Sequence, residues 1–307
     1  MILGLTLFGI LVIILVSFAI CTTVCSLSME AAVLFTPSFL VLFPAIVQGF
    51  PHLPVNASIG LSLVVEIFGY SSSVAGYWYR KRIDFHVAGR LILMTAPLAV
   101  VGRIASYIVP GSLLIAAFGV LLLSLALIVL MNHARIAELN ANPSSYRAKT
   151  CLFCALQPWK GHGDPPDGAG YHTAFKPDGK DKGTLSVAGL FAGLAGIAVG
   201  EIVQTFLILK KCVPLKFSGG TSALTLHLTI LTALLMNVAI LFIQPPFLPT
   251  KGIAIPWNIA LIIAPTVLLG GQVGSWVNSR LSPTVQVRSL VVVYGLVGVV
   301  ALGLALF

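Results

Sequence analysis

The chain has 307 residues, 58% hydrophobic and only 9% charged, with a net charge of +9 and a mean hydropathy of +1.02. So few charges cannot cover a large soluble core, and long apolar runs without regular alternation argue against an outer-membrane barrel. What remains is an all-α polytopic membrane protein. The excess Lys and Arg sit in loops, where they orient a membrane protein rather than hold nucleic acid.

In chain order, the first apolar block covers 2–22 and has a polar continuation to about 48. It starts without a basic leader and outruns a signal core, so it reads as a retained span. Further blocks cover 55–79, 87–109, 111–131, 184–209, 218–243, 253–279 and 287–307, each long enough for about 30 Å of hydrocarbon. The count is eight spans if 2–48 crosses once with a broken or re-entrant portion, and nine if it crosses twice. The boundaries carry Pro54, Arg80-Lys81-Arg82, Pro110-Gly111, Lys210-Lys211, Pro245-Pro246, and Arg280 with Pro283.

Residues 132–183, rich in Gly, Pro, Asp and Lys ("GHGDPPDGAGYHTAFKPDGKDKG"), read as a flexible linker between a first membrane repeat, 1–131, and a second, 184–307. Loop 80–90, this linker and Lys251 fall on one side of the expected topology. Lys210, Lys211, Lys216, Arg280 and Arg288 fall on the other. The richer side, with the linker and the C-terminus, is expected in the cytoplasm of a plasma (inner) membrane protein.

The two halves echo each other. "SIGLS" (Ser58–Ser62) matches "SGGTS" (Ser218–Ser222), and "APLAVVG" (Ala96–Gly102) matches "APTVLLG" (Ala264–Gly270), with Ser106 and Gly274 at equal distance beyond. Three matches in one order, on either side of one linker, point to duplication. Duplicated bundles with interrupted helices place substrate between the repeats; parallel and inverted arrangements both stay open.

Residues three or four apart share a helix face. Ser218, Thr221, Ser222, Thr225, Thr229 and Thr232 form such a stripe, and Ser58, Ser62, Glu66, Gly69 and Ser73 form its counterpart. Small and hydroxyl residues also serve helix packing; two matching stripes favour a polar pathway. Glu30, Glu66 and Glu201 are carboxylates within apolar surroundings, where an ionised group is costly. Glu201 shares a face with Gln204 and Thr205, so it is expected to point inward. Each acid is a candidate proton carrier, since neutralising it would favour an anion nearby. Arg103 reads as an interfacial cation or an anion contact, and His227 and Asn237 as helix-packing polar groups.

At these residues the chain resembles the TauE/SafE sulfite-exporter family, the TSUP permeases. "GLAGIAVGEIVQT" (Gly193–Thr205) is similar to the family's Gly-Ile-Gly-Gly-Gly element, with Ala198 and Val199 replacing two glycines and Thr205 a proline. "SGGTSA" (Ser218–Ala223) is the better-kept second motif, while "SMEAAVLFTP" (Ser28–Pro37) keeps only the proline and "SIGLSL" (Ser58–Leu63) has Leu61 for Thr. The resemblance implies transport of a small sulfur-containing anion such as sulfite, thiosulfate or an organosulfonate; with the buried acids, the leading reading is a proton-coupled exporter needing no cofactor. Ser58, Ser62, Gly196, Gly200, Gln204, Ser218, Gly220, Thr221, Ser222 and Thr225 would line the substrate path, with Glu30, Glu66 and Glu201 coupling protons. Half-helix N-termini would offer backbone N–H groups to the anion.

Two alternatives remain open. The three acids would also suit a cation or metal-ion carrier. "CLFC" (Cys151, Cys154), with His162 and His172 downstream, has the spacing of half a zinc site and would be the working part of a scaffold or redox protein. Cys21 and Cys25, one helical turn apart, read as interface residues. No nucleotide-binding loop or catalytic triad is evident, so the reading is not an enzyme. The sequence sets no oligomeric state.

Overall fold

The computed structural model describes residues 5–134, 136, 177–211, 213, 215–246, 248 and 255–306; Cys151, Cys154, His162, His172 and Lys251 lie outside them. Among the described residues there are ten helices and no strand. The first half holds α1 (Leu7–Leu27), α2 (Ala32–Ile46), α3 (Val55–Tyr79), α4 (Phe85–Ser106) and α5 (Gly111–Met131). The second holds α6 (Gly179–Ala195), α7 (Val199–Leu209), α8 (Leu215–Ile243), α9 (Trp257–Asn278) and α10 (Pro283–Leu306). Seven of them, α1, α3, α4, α5, α8, α9 and α10, are long and apolar enough to cross a membrane, fewer than the expected eight or nine.

The difference lies in two broken stretches. The expected span 184–209 is two helices, α6 and α7, parted by Gly196 at φ +73° and Ala198 at φ +103°. The first apolar block and its continuation hold the full-length α1 and the shorter α2, parted by Ser28 at φ +57°. Within α2, Pro37 lacks the N–H that a continuous helix needs, and a π-helical turn at Ser38–Leu42 follows it directly.

The helices pair in a pattern that repeats when the halves are exchanged: α4 packs on α6 as α9 packs on α1, and α3 packs on α9 as α8 packs on α4. α3 also meets α8, and α5 meets α10. The matched sequence motifs sit at these contacts. A Cβ on Gly102 of α4 would come within 2.1 Å of the Leu190 carbonyl of α6, and one on Gly270 of α9 within 2.9 Å of Cys21 of α1. Such close approach is how helices gain contact in lipid, where no hydrophobic drive operates between them.

Register gives direction. Thr95 bonds Thr229 and Arg103 bonds Asn237, a constant offset that makes α4 and α8 parallel. Thr95 and Ala99 lie against Gly189 and Gly193, so α6 runs the same way. Cys21 and Cys25 lie against Gly270 and Gly274, and Gly69 and Gly76 against Val267 and Ser275, so α1, α3 and α9 are parallel to one another. Gly60 meets Asn237 while Ser71 meets His227, so α3 opposes α8. Gly119 and Leu123 of α5 meet Leu302 and Gly298 of α10 in reversed order. Every helix of the first half therefore runs against its counterpart in the second.

This settles which loops share a face. Lys210 and Lys211, at the end of α7, pair with Asp181 at the start of α6. Thr221 accepts from the Asp84 N–H at 3.0 Å, Arg80 reaches Ser275, and Val129, Ile136, Ile208 and Val287 cluster together. Arg80–Arg82, both ends of the linker, Lys210, Lys211 and Arg280 thus lie on one basic face. The end of α4, the end of α8 and Leu248 meet on the other, where Leu306 also ends. The expectation that Lys210, Lys211 and Arg280 oppose the linker is corrected, as is the expectation that linker and C-terminus share a side. Because α6 and α7 run up and back as separate elements, the chain returns to the linker's face by residue 210.

On the basic face the Asp178 carboxylate caps α6, and the Asp181 N–H it accepts holds it below its ordinary range. Lys210 is pushed up by its bond to the Asp181 carboxylate. Outward faces carry exposed Leu7, Phe8, Leu93, Phe242 and Leu296, as a lipid-facing surface requires.

Candidate functional site

The two short helices begin at the same place. From Ser28 the chain runs to Ala31 and enters α2 beside Glu66, near the middle of α3. From Gly196 it enters α7 beside α2: a Cβ on Gly196 would stand 3.2 Å from Ala32. The two N-termini, each the positive end of a helix dipole, meet in the interior.

Three buried carboxylates answer them. Glu30 Oε1 accepts the N–H groups of Val199 and Gly200 at 3.0 and 3.2 Å. Glu201 Oε1 accepts the Glu30 N–H at 2.8 Å, and its Oε2 accepts Ala198 N–H at 3.3 Å. Glu66 Oε1 accepts Ala31 N–H at 2.9 Å. Glu30 of the first half thus caps α7, while Glu66 holds the N–H at the start of α2 and Glu201 holds the one just before it. Glu30 Oε2 and Glu66 Oε2 are buried without a partner.

Around this centre the hydroxyl candidates divide. Ser62 bonds Thr36 at 3.0 Å and the Ser58 carbonyl at 2.9 Å, beside the π-turn of α2. Ser222 donates to the Gly200 carbonyl, and Gln204 Nε2 is buried without a partner. Ser58 Oγ is buried without a partner too. These residues, with Gly196 and Gly200, belong to the centre or the helices that flank it. Ser218, Gly220 and Thr221 instead lie toward the basic face, where Gly220 stands against the Arg82 carbonyl. Thr225 returns its hydroxyl to the Thr221 carbonyl, and Thr229 bonds Thr95 across to α4. Much of the α8 stripe is helix packing.

Sequence reasoning missed Tyr70 and Tyr77. Tyr70 donates to the Met29 carbonyl, and Tyr77 to the Cys25 carbonyl at 3.1 Å with Ser28 Oγ at 3.0 Å. They bind carbonyls where α1 ends. Their signal was present, since both continue the spacing from Ser62 and Glu66 along one face of α3. A shallow crevice opens between α2, α3, α5 and α10, lined by Pro37, Ile59, Leu114, Phe118 and Leu304 with Thr36 at its edge. That apolar lining suits no anion.

The sequence model described as Sulfite exporter TauE/SafE matches residues 6–302, nearly the whole chain. The chain belongs to the TauE/SafE sulfite exporter family. It is therefore an integral membrane protein of a transporter family, in keeping with its helices. No curated protein and no solved structure matches it. Ala198 lies at φ +103°, a backbone conformation that glycine adopts more readily than alanine.

Proposed function

We propose that this TauE/SafE protein carries sulfite or a related small sulfur oxyanion or organosulfonate across the membrane, and that Glu30, Glu66 and Glu201 couple the movement to protons. The reading is supported above all by the head-to-head N-termini of α2 and α7. Converging N–H groups and dipole ends form an anion site by general physical chemistry, and here internal carboxylates occupy it. A substrate anion can take those N–H groups only if the carboxylates withdraw. Protonation removes the charge that holds them and the charge that would repel the substrate. Anion and proton then bind together.

The inverted pairing of helices supports two duplicated halves around this centre, with the basic face in the cytoplasm and both termini on the outer side. In proteoliposomes, sulfite flux should respond to a proton gradient, and Glu201→Gln should stay folded yet lose the pH dependence. An unchanged pH profile in that variant removes Glu201 from the coupling. Thiosulfate, taurine and sulfoacetate in the same assay rank the substrates.

A further inference from the structure

A second polar site lies nearer the face opposite the basic one. Arg103 is fully buried in the last turns of α4, and no carboxylate among the described residues pairs with it. Its Nε and Nη2 donate to Asn237 Oδ1 at 2.8 and 2.6 Å, and Tyr107 donates to the same oxygen at 2.6 Å. Nη2 also reaches the Asn56 carbonyl at 3.3 Å. Three donors fix that amide oxygen, so Asn237 presents its Nδ2 on the other side. Asn237 Nδ2 and Arg103 Nη1 are both buried without partners.

Gly60 of α3 stands against both Arg103 and Asn237, beside Ile255. A Cβ there would come 3.3 Å from Asn237 Nδ2 and 3.5 Å from Arg103 Nη2. The α4 C-terminus and the Tyr107 ring, 5.0 Å from the guanidinium carbon, offset part of the charge. They leave a buried cation and two unpaired donors where the low dielectric makes them costly. Six residues along α3, about 9 Å of helix rise, separate Gly60 from Glu66.

We propose that Arg103 and Asn237, with Gly60 as the floor beside them, form an oxyanion-binding site on the path between the face opposite the basic one and the carboxylate centre. The site rests on the transport reading for its purpose, but its ligand follows from its own donors: a small oxyanion accepts from a guanidinium fork and an amide at once. It supplies the fixed positive charge that the central carboxylates lack.

Binding is tested without transport, on purified protein in detergent at fixed pH and ionic strength, following thermal unfolding through intrinsic tryptophan fluorescence. Titrated sulfite should raise the unfolding temperature of the wild type saturably. Arg103→Gln and Gly60→Ala should each raise the half-maximal concentration by about tenfold or more, as loss or obstruction of a charged hydrogen bond demands. If Arg103→Gln does not fold, Gly60→Ala decides alone, since it removes no donor or acceptor of the cluster. A wild type without saturable response, a folded Gly60→Ala that binds as wild type, or an equal response to chloride overturns the assignment. Failure of the Glu201→Gln flux test bears only on proton coupling and leaves this result standing.

Discussion

Ala198 carries a left-handed backbone at the N-cap of α7 although its Cβ disfavours that conformation, a strain of order 1–3 kcal/mol. The position is held because its N–H is needed by Glu201 and because the chain must turn between α6 and α7. Ala198→Gly should therefore stabilise the protein by about 1 kcal/mol, read as a higher unfolding temperature; a lower one would mean that the methyl group packs usefully. At this scale the sequence was partly legible. A carboxylate in an apolar stretch announces itself by its cost, so Glu30, Glu66 and Glu201 could be picked out. Their partners could not. Glu30 and Glu201 are 171 positions apart, and nothing local says that Glu30 caps α7 while Glu201 takes the Glu30 N–H.

Among elements, the apolar blocks were legible because bilayer thickness sets their length, and α3, α5 and α8 fall close to the expected bounds. The break at Gly196–Ala198 was not, since hydropathy is blind to φ and both fragments are apolar. Reading one span there put Lys210 and Lys211 on the wrong face. The α4–α6 contact shows what the glycines do: a Cβ on Gly193 would lie 1.9 Å from the Ala99 carbonyl. Gly193→Ala should cost at least about 1–3 kcal/mol as the helices are forced apart, measured by thermal unfolding in detergent. A neutral effect would show that the α4–α6 contact gives way freely. The same contact positions Arg103, so the variant should also weaken anion binding.

For the whole molecule, two halves that run in opposite directions give a site reachable in principle from either face, with two dipole ends meeting inside. The proposed orientation puts the basic face in the cytoplasm. Single cysteines placed at Lys81 and at Leu306 in a chain without its five native cysteines should differ in labelling by a membrane-impermeant maleimide on intact cells. Leu306→Cys should react and Lys81→Cys should not; the opposite pattern would invert the orientation. The matched motifs Pro97…Gly102 and Pro265…Gly270 could be read from the sequence, whereas the opposed direction of the helices required the pairings of side chains that only a fold supplies.

The account depends on substrate displacing carboxylates that must gain a proton as they leave. Proton uptake can be read directly by adding sulfite to weakly buffered, purified protein with a pH indicator, against the same addition to protein-free buffer. Uptake of protons in step with sulfite binding, reduced in Glu201→Gln, is the expected result. Saturable sulfite binding with no proton taken up would contradict it.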